Sequence, residues 1–405
     1  MSDIRIVGSI DIGNQSIKAV VARVSGDSVE VKGAGKAVAR GIQDGRVENI
    51  EALAASIRTA LDEAEMSAGT AVSRVVVSFS PRARRGVAVQ VEQHLKRQNI
   101  SRSDVAQLMR RARTLPPSST DAVLHTEVHD FSVDDQAGIT NPIDMVGSSL
   151  GLRGYNLLVP AHDLDCIRRA VTKCKVEVIR IVQEAHAAGY SVLDAQDREL
   201  GTLLVSIGAD STQVAIWSDG VLVRNATIPV GGRTMTNSIA VAGPFTGSVA
   251  EQLKTEFGVA AVSEASHSIS VQVPSRGRGP VAVSTAFIAT ILEPHVQEIL
   301  EVVGRELDLS GYMDRLRAGV VLTGGSASLP HITKVAERVL ERNVRIGHPH
   351  GVSGIADLVR HPEYAACVGA LEMLHQSDDR LLYDPEADGP LTLRARVRQF
   401  LDWLF

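Results

Sequence analysis

Val7–Val21 reads VGSIDIGNQSIKAVV, and Thr202–Ile216 reads TLLVSIGADSTQVAI. At an offset of 195 residues, Ile12-Gly13 falls on Ile207-Gly208, Ser16 on Ser211 and Val21 on Ile216. Each stretch is an apolar strand, a glycine-bearing turn of small polar residues, and a second apolar strand leading to another glycine, Gly26 or Gly220. That pattern predicts a β-hairpin used twice. Glycine lets a turn approach a ligand closely, and the exposed backbone amides of such a turn suit phosphate. One such hairpin is an ordinary structural element. Two of them half a chain apart predict duplicated lobes that grip one nucleotide from both sides.

A third glycine turn lies in Ala318–Ser328 (AGVVLTGGSAS), where the apolar strand Val320-Val321-Leu322 runs into Thr323-Gly324-Gly325-Ser326. A helix is expected from near Leu329, so strand, glycine pair and helix N-terminus would seat a nucleoside or phosphate. Another pair, Gly231-Gly232, precedes an expected helix at Thr234. Beyond it, Glu251 and Lys254 stand three apart on a following helix. That spacing puts carboxylate and ammonium on one face, able to meet ribose hydroxyls and an adenine edge, or simply to form a solvated ion pair.

The chain has 405 residues, enough for two or more domains, and is 44% hydrophobic. No apolar run reaches the length of a membrane-spanning helix, and the N-terminus does not read as a signal peptide. A net charge of −5 argues against nucleic acid as a partner. Cys166, Cys174 and Cys367 lack metal-ligand spacing and fit a reducing compartment. The 12 histidines are scattered, and the closest pair, His348 and His350, does not read as a metal site.

Leu391–Phe405 reads LTLRARVRQFLDWLF. On a helix, Leu393, Val397, Phe400, Leu401 and Leu404 would share one face, flanked by Arg394, Arg396 and Arg398, with Trp403 near the edge and Phe405 last. Such a segment suits the surface of an anionic membrane. The three arginines contribute about 1 kcal/mol each there. Gln376–Pro390, acidic and broken by Pro385, Gly389 and Pro390, reads as a linker. One copy of the tail would bind weakly, and several copies in an array far better. The alternative is a terminal helix packed on its own domain.

These motifs resemble the actin, sugar kinase and Hsp70 superfamily. Asp11–Lys18 (DIGNQSIK) corresponds to its phosphate-1 motif, Ser206–Gln213 (SIGADSTQ) to phosphate-2, and Val321–Gly325 (VLTGG) to the adenosine motif. Within the superfamily, Arg40–Val47, Gly189–Leu193 with Arg198–Gly201, Val344–Pro349 and Pro362–Leu371 are similar to the FtsA family of bacterial cell-division proteins. The resemblance implies an α/β, actin-like (ribonuclease H-like) fold of two duplicated lobes, an inserted 1C domain and a C-terminal amphipathic helix. Residues 1–83 and 166–200 would form lobe 1 (subdomain 1A), and 84–165 the 1C domain. Residues 201–233 and 320–375 would form subdomain 2A of lobe 2, and 234–319 subdomain 2B. The linker would be 376–390 and the membrane-targeting helix 391–405.

The resemblance also implies ATP or ADP with Mg²⁺ at Asp11, Gly13, Asn14, Gln15, Ser16, Lys18, Gly208, Ala209, Asp210, Ser211, Gly231, Gly232, Arg233, Glu251, Lys254, Gly324, Gly325 and Ser326, Asp11 reaching the metal through water. Asp11 and Glu184, the latter similar to the Hsp70 linking-helix glutamate, are the catalytic candidates. Family members are described as anchoring filaments of the tubulin-like FtsZ to the cytoplasmic face of the inner membrane at the division site. The implied partners are the FtsZ C-terminal peptide at 2B, later division proteins at 1C, further copies of the chain in filaments, and the membrane.

Two departures matter. Phosphate-2 in the family usually reads Asp-Ile-Gly-Gly-Gly-Thr with a further Asp two residues on, whereas Ser206, Ala209, Asp210, Ser211 and Gln213 stand here. Losing the first carboxylate weakens the hold on Mg²⁺, and Asp210 adds charge where phosphate would approach. Slow hydrolysis at most is expected, with nucleotide structural or regulatory. Before Leu292-Glu293-Pro294, where the family tends to carry basic residues for the acidic FtsZ peptide, Val281–Ala286 is apolar or neutral, although Arg276 and Arg278 lie upstream. A PilM-type scaffold of pilus assembly, favoured by IGADST, and a kinase-like ATPase are the alternatives.

Overall fold

Short runs rich in valine and isoleucine form the strands, and glycine turns join them. The computed structural model describes residues 5–25, 28–80, 86–95, 99–114, 120–267, 270–275 and 278–376. The tail at 391–405 and the linker from 377 onward therefore lie outside the described residues, as does Arg276.

In chain order, β1 (Arg5–Ile12), β2 (Ser16–Ser25) and β3 (Ser28–Val38) are followed by the short pair β4 (Ile42–Gln43) and β5 (Arg46–Val47), helix α1 (Ile50–Ala68) and β6 (Arg74–Phe79). Next come β7 (Val87–His94), α2 (Arg102–Arg113), β8 (Asp121–Val133), β9 (Gln136–Ile139) and β10 (Ser149–Pro160). Then α3 (Ala161–Lys173), β11 (Glu177–Gln183), α4 (Glu184–Val192) and α5 (Ala195–Leu200) lead to β12 (Thr202–Ile207), β13 (Thr212–Ser218) and β14 (Val221–Ile228). Helices α6 (Gly232–Ala242) and α7 (Gly247–Phe257) precede the ribbon β15 (Ser270–Ser275) and β16 (Arg278–Ser284), then α8 (Thr285–Asp308). The chain continues through β17 (Val320–Thr323), α9 (Ile332–Leu340), β18 (Val344–Ile346), β19 (Val352–Gly354) and α10 (Ala365–Gln376).

Two compact units result. The larger comprises Met1–Ala88, Pro116–Glu127 and Tyr155–His375. It holds one sheet of order β11-β6-β1-β2-β3-β19 and another of order β14-β13-β12-β17-β18. Leaving β19 aside, the two orders are the same: a three-stranded antiparallel meander with two parallel strands beyond its first member. The hairpins set the register, Asp11 opposite Lys18 in the first and Ser206 opposite Gln213 in the second.

Helix α1 starts at Asn49, whose side chain accepts from the Ala52 amide, and ends at Gly69 with φ 65°. It lies against β3 at Gly33 and Gly35, where an added Cβ would come within 2.3 Å of the Ala64 and Ala60 carbonyl oxygens. Ile10, Ile17, Leu53, Ile57 and Val77 are core residues of this lobe, and Leu203, Val205, Ile239, Leu292 and Leu322 of the other.

The smaller unit includes Val89–Leu115 and Val128–Gly154. Capped by Ser101, α2 contributes Val105, Leu108 and Met109 to a core with Val91, Phe131, Leu150 and Leu152 from the strands. Among the described residues, no helix is long and apolar enough to cross a membrane.

Candidate functional site

The turn Gly13-Asn14-Gln15 after β1, the turn Gly208-Ala209 after β12 and the pair Gly324-Gly325 after β17 line one cavity of about 450 Å³. Strand order explains the convergence, because β1, β12 and β17 all end at glycine turns on the cavity wall. Asp11, Ser16, Lys18, Glu184, Ser211, Glu251, Lys254 and Ser326 also line it. The volume is in the range of small-molecule sites.

Asp11 is buried and accepts from Lys18 Nζ at 2.8 Å and from Ser78 Oγ at 2.9 Å. Burial works to lower the Lys18 pKa, but the charge of Asp11 overrides it, and the ammonium stays above its usual range. Lys18 is therefore a fixed cation at the cavity floor.

Ser206, in place of the family carboxylate, donates to Glu184 Oε1 at 2.7 Å. Ser80 Oγ donates to the other Glu184 oxygen, and Gln213 Nε2 donates in turn to Ser80 Oγ. The Gln213 carbonyl oxygen accepts from the Ala185 amide at 3.2 Å. Two of the phosphate-2 replacements, Ser206 and Gln213, thus form with Ser80 one neutral network around Glu184. Burial, then the charge of Asp11, pushes the Glu184 carboxyl above the ordinary carboxylate range.

Asp210, Gly231, Gly232 and Arg233 do not line the cavity; they support its wall. Gly232 N donates to Gly208 O at 2.9 Å, and Arg233 N to Ala209 O at 2.7 Å. An added Cβ on Gly231 would lie 2.7 Å from both the Gly208 and the Ala209 carbonyl oxygens, so the glycine is needed for this close approach. The Arg233 guanidinium pairs with both Asp210 oxygens and donates to Asn14 O at 3.3 Å. The charge expected to oppose phosphate is thus neutralised by Arg233, and neither Lys18 nor a metal is required for that.

Glu251 and Lys254 are no solvated surface pair. Lys254 is buried and donates to Glu251 at 2.8 Å, to Thr236 Oγ1 at 2.8 Å and to Gly232 O at 3.2 Å. After Gly325 the structure departs from the expected helix start. A single 3-10 turn, Gly325–Ser328, follows at once, and α9 begins only at Ile332. Pro330 disfavours helical backbone at Leu329, and His331 takes a left-handed φ of 63°.

Sequence reasoning missed Lys36, Ser80, Thr255, Ser328, Leu329, His361 and Glu363 on the cavity wall. Lys36 and Glu363 form an ion pair of 2.6 Å across 327 residues of sequence, which no local pattern could reveal. His361 and Glu363 flank the start of Pro362–Leu371, a stretch already noted as family-like, and that was the available signal.

Cavity, glycine turns and free space fit a nucleotide. An added Cβ at Gly325 would meet nothing within 4 Å, so that backbone borders open room. Lys18, Glu251 and Lys254 place charged groups on its wall.

Duplicated five-stranded sheets of this order around such a cleft define an actin-like fold. The chain is similar to the PilM-PilN type IV pilus biogenesis complex, with a TM-score of 0.63 at 16% identity, covering 92% of this chain and 99% of that one. It is also similar to MreB5 of Spiroplasma citri bound to AMPPNP, with a TM-score of 0.55 at 15% identity over 91% of this chain and 96% of that one. At these identities the likeness concerns the fold alone.

Sequence comparison is more specific. Residues 203–369 match the family model "Cell division protein FtsA", and residues 84–157 match "SHS2 domain inserted in FTSA". The chain is 32% identical to cell division protein FtsA of Pseudomonas aeruginosa, over 91% of this chain and 88% of that protein. It is 30% identical to FtsA of Escherichia coli K12, over 100% of this chain and 98% of that protein. The chain belongs to the FtsA family of cell-division proteins.

Proposed function

We propose that this chain is an ATP-binding, polymerising adaptor that tethers the FtsZ ring to the inner face of the cytoplasmic membrane and recruits later division proteins. The observation that carries the reading is the 30% identity to Escherichia coli FtsA over the full chain. The cleft supports the nucleotide part of it. Lys18, Glu251, Lys254 and the three glycine turns would hold adenine nucleotide, and Asp11 would meet Mg²⁺ through water. Asp11 is already paired with Lys18, and Glu184 is engaged by Ser80 and Ser206, so slow turnover fits better than rapid hydrolysis.

Subdomain 2B at 234–319 would take the FtsZ peptide. In this chain Arg278 opens β16, and the apolar or neutral Val281–Ala286 ends it and starts α8. The 1C segment at 84–165 would take later division proteins or a neighbouring copy. The helix expected at 391–405 would be the anchor. Full-length chain should carry FtsZ onto anionic vesicles in a co-sedimentation assay, and a chain ending at residue 390 should leave it in solution.

A further inference from the structure

His125 and Glu127 are alternate residues of β8 and share one face of the strand. His186 comes from α4, 59 residues beyond Glu127. His125 Nε2 lies 3.3 Å from Glu127 Oε2, and His186 Nε2 lies 3.1 Å from Glu127 Oε1. One ligand atom from each of the three lies within 4.8 Å of the others. In a tetrahedral zinc site with bonds near 2.0–2.2 Å, neighbouring ligand atoms stand roughly 3.3–3.5 Å apart. Both distances are near that length, and because they run to different Glu127 oxygens the carboxylate would chelate the ion or turn to present one oxygen to it.

The triad is largely shielded from solvent. His186 is 1% exposed and His125 9% exposed. Tyr190 and Trp217 pack on His186 with centroids 5.6 and 5.7 Å away, and Arg198 covers both aromatic rings.

We propose that His125, Glu127 and His186 bind one divalent transition-metal ion of zinc's class, with solvent completing the coordination. The donor set is nitrogen and oxygen without sulfur, which suits zinc and disfavours magnesium. The ion joins β8 to α4. Two residues before His186, Glu184 faces the nucleotide cavity, so a metal-pinned α4 would hold that carboxylate in place.

The test uses the full chain, stripped with EDTA and titrated with ZnCl₂ by calorimetry in excess MgCl₂. One zinc per chain should bind with Kd at or below about 1 μM. His125→Ala, Glu127→Gln and His186→Ala should each weaken it by at least about a hundredfold, the upper end of what outer-shell changes alone produce. Glu127→Gln keeps the side-chain shape, so it decides the matter if a histidine variant fails to fold. Zinc should raise the melting temperature of the wild type and not of Glu127→Gln. Cobalt in place of zinc should give visible bands that the variants lose. Absence of zinc binding to the wild type overturns the proposal. So does wild-type affinity in Glu127→Gln, which would place the ion elsewhere, for instance at a thiol.

Discussion

At Gly324 the backbone takes φ 84° and ψ 171°, a region open to glycine alone, and an added Cβ would meet Ile207 O at 2.8 Å. Its neighbour Gly325 faces open space on the cavity wall. Gly324→Ala should therefore cost about 2 kcal/mol or more of stability, within the cost of forced backbone strain. Gly325→Val should leave the melting temperature nearly unchanged while weakening ATP binding at least about tenfold, a loss of about 1.4 kcal/mol. Melting and nucleotide titration on both variants check this. Glu184 gives a second prediction. A carboxylate with a raised folded pKa stabilises the fold while protonated, below the unfolded value of 4.5, and loses that contribution as pH rises through the folded value. Glu184→Gln cannot ionise, so its stability relative to wild type should rise as pH increases from about 4 to 8. Melting curves across that range should show it, and a constant difference would mean the charge plays no part. At this scale the glycine turns and Glu184 were legible in sequence. Lys36, His361 and Glu363 were not, because distant segments bring them together.

Between elements, Arg233 at the start of α6 joins the turn after β12 through Asp210 and the turn after β1 through Asn14 O. Asp210 is nearly buried while Arg233 is 44% exposed, so the pair is partly screened. Asp210→Asn should change ATP affinity little, because its charge is already neutralised. Arg233→Ala should weaken binding several-fold by leaving Asp210 unpaired beside the phosphate-2 turn. The double variant should recover part of that loss, with a coupling of about 0.5–3 kcal/mol, the range for contacting pairs. Additive effects would show that the clasp does not act through Asp210. The hairpins and the i,i+3 pair on α7 followed from local periodicity and spacing. The delayed start of α9 did not, because Pro330 and the left-handed His331 override the pattern of apolar residues. The Asp210–Arg233 pair spans 23 residues and depends on the turn and α6 being adjacent.

For the molecule as a whole, repeated hairpins at an offset of 195 residues announced two similar lobes, and the matching strand orders show them. Burial on both faces makes such strands read as continuous apolar runs, which is why the duplication is visible without local detail. The histidine triad escaped notice because only the fold brings His186 to His125 and Glu127. The adaptor reading joins that fold to a tail outside the described residues, and it has one direct test. FtsZ is mixed with anionic liposomes, ATP and Mg²⁺, and sedimented with full-length chain, with a chain ending at residue 390, or with Trp403→Glu. The account predicts that FtsZ pellets with the full chain alone, and that both variants keep its melting temperature while leaving FtsZ in the supernatant. FtsZ sedimenting equally with all three proteins, or with none, would contradict it.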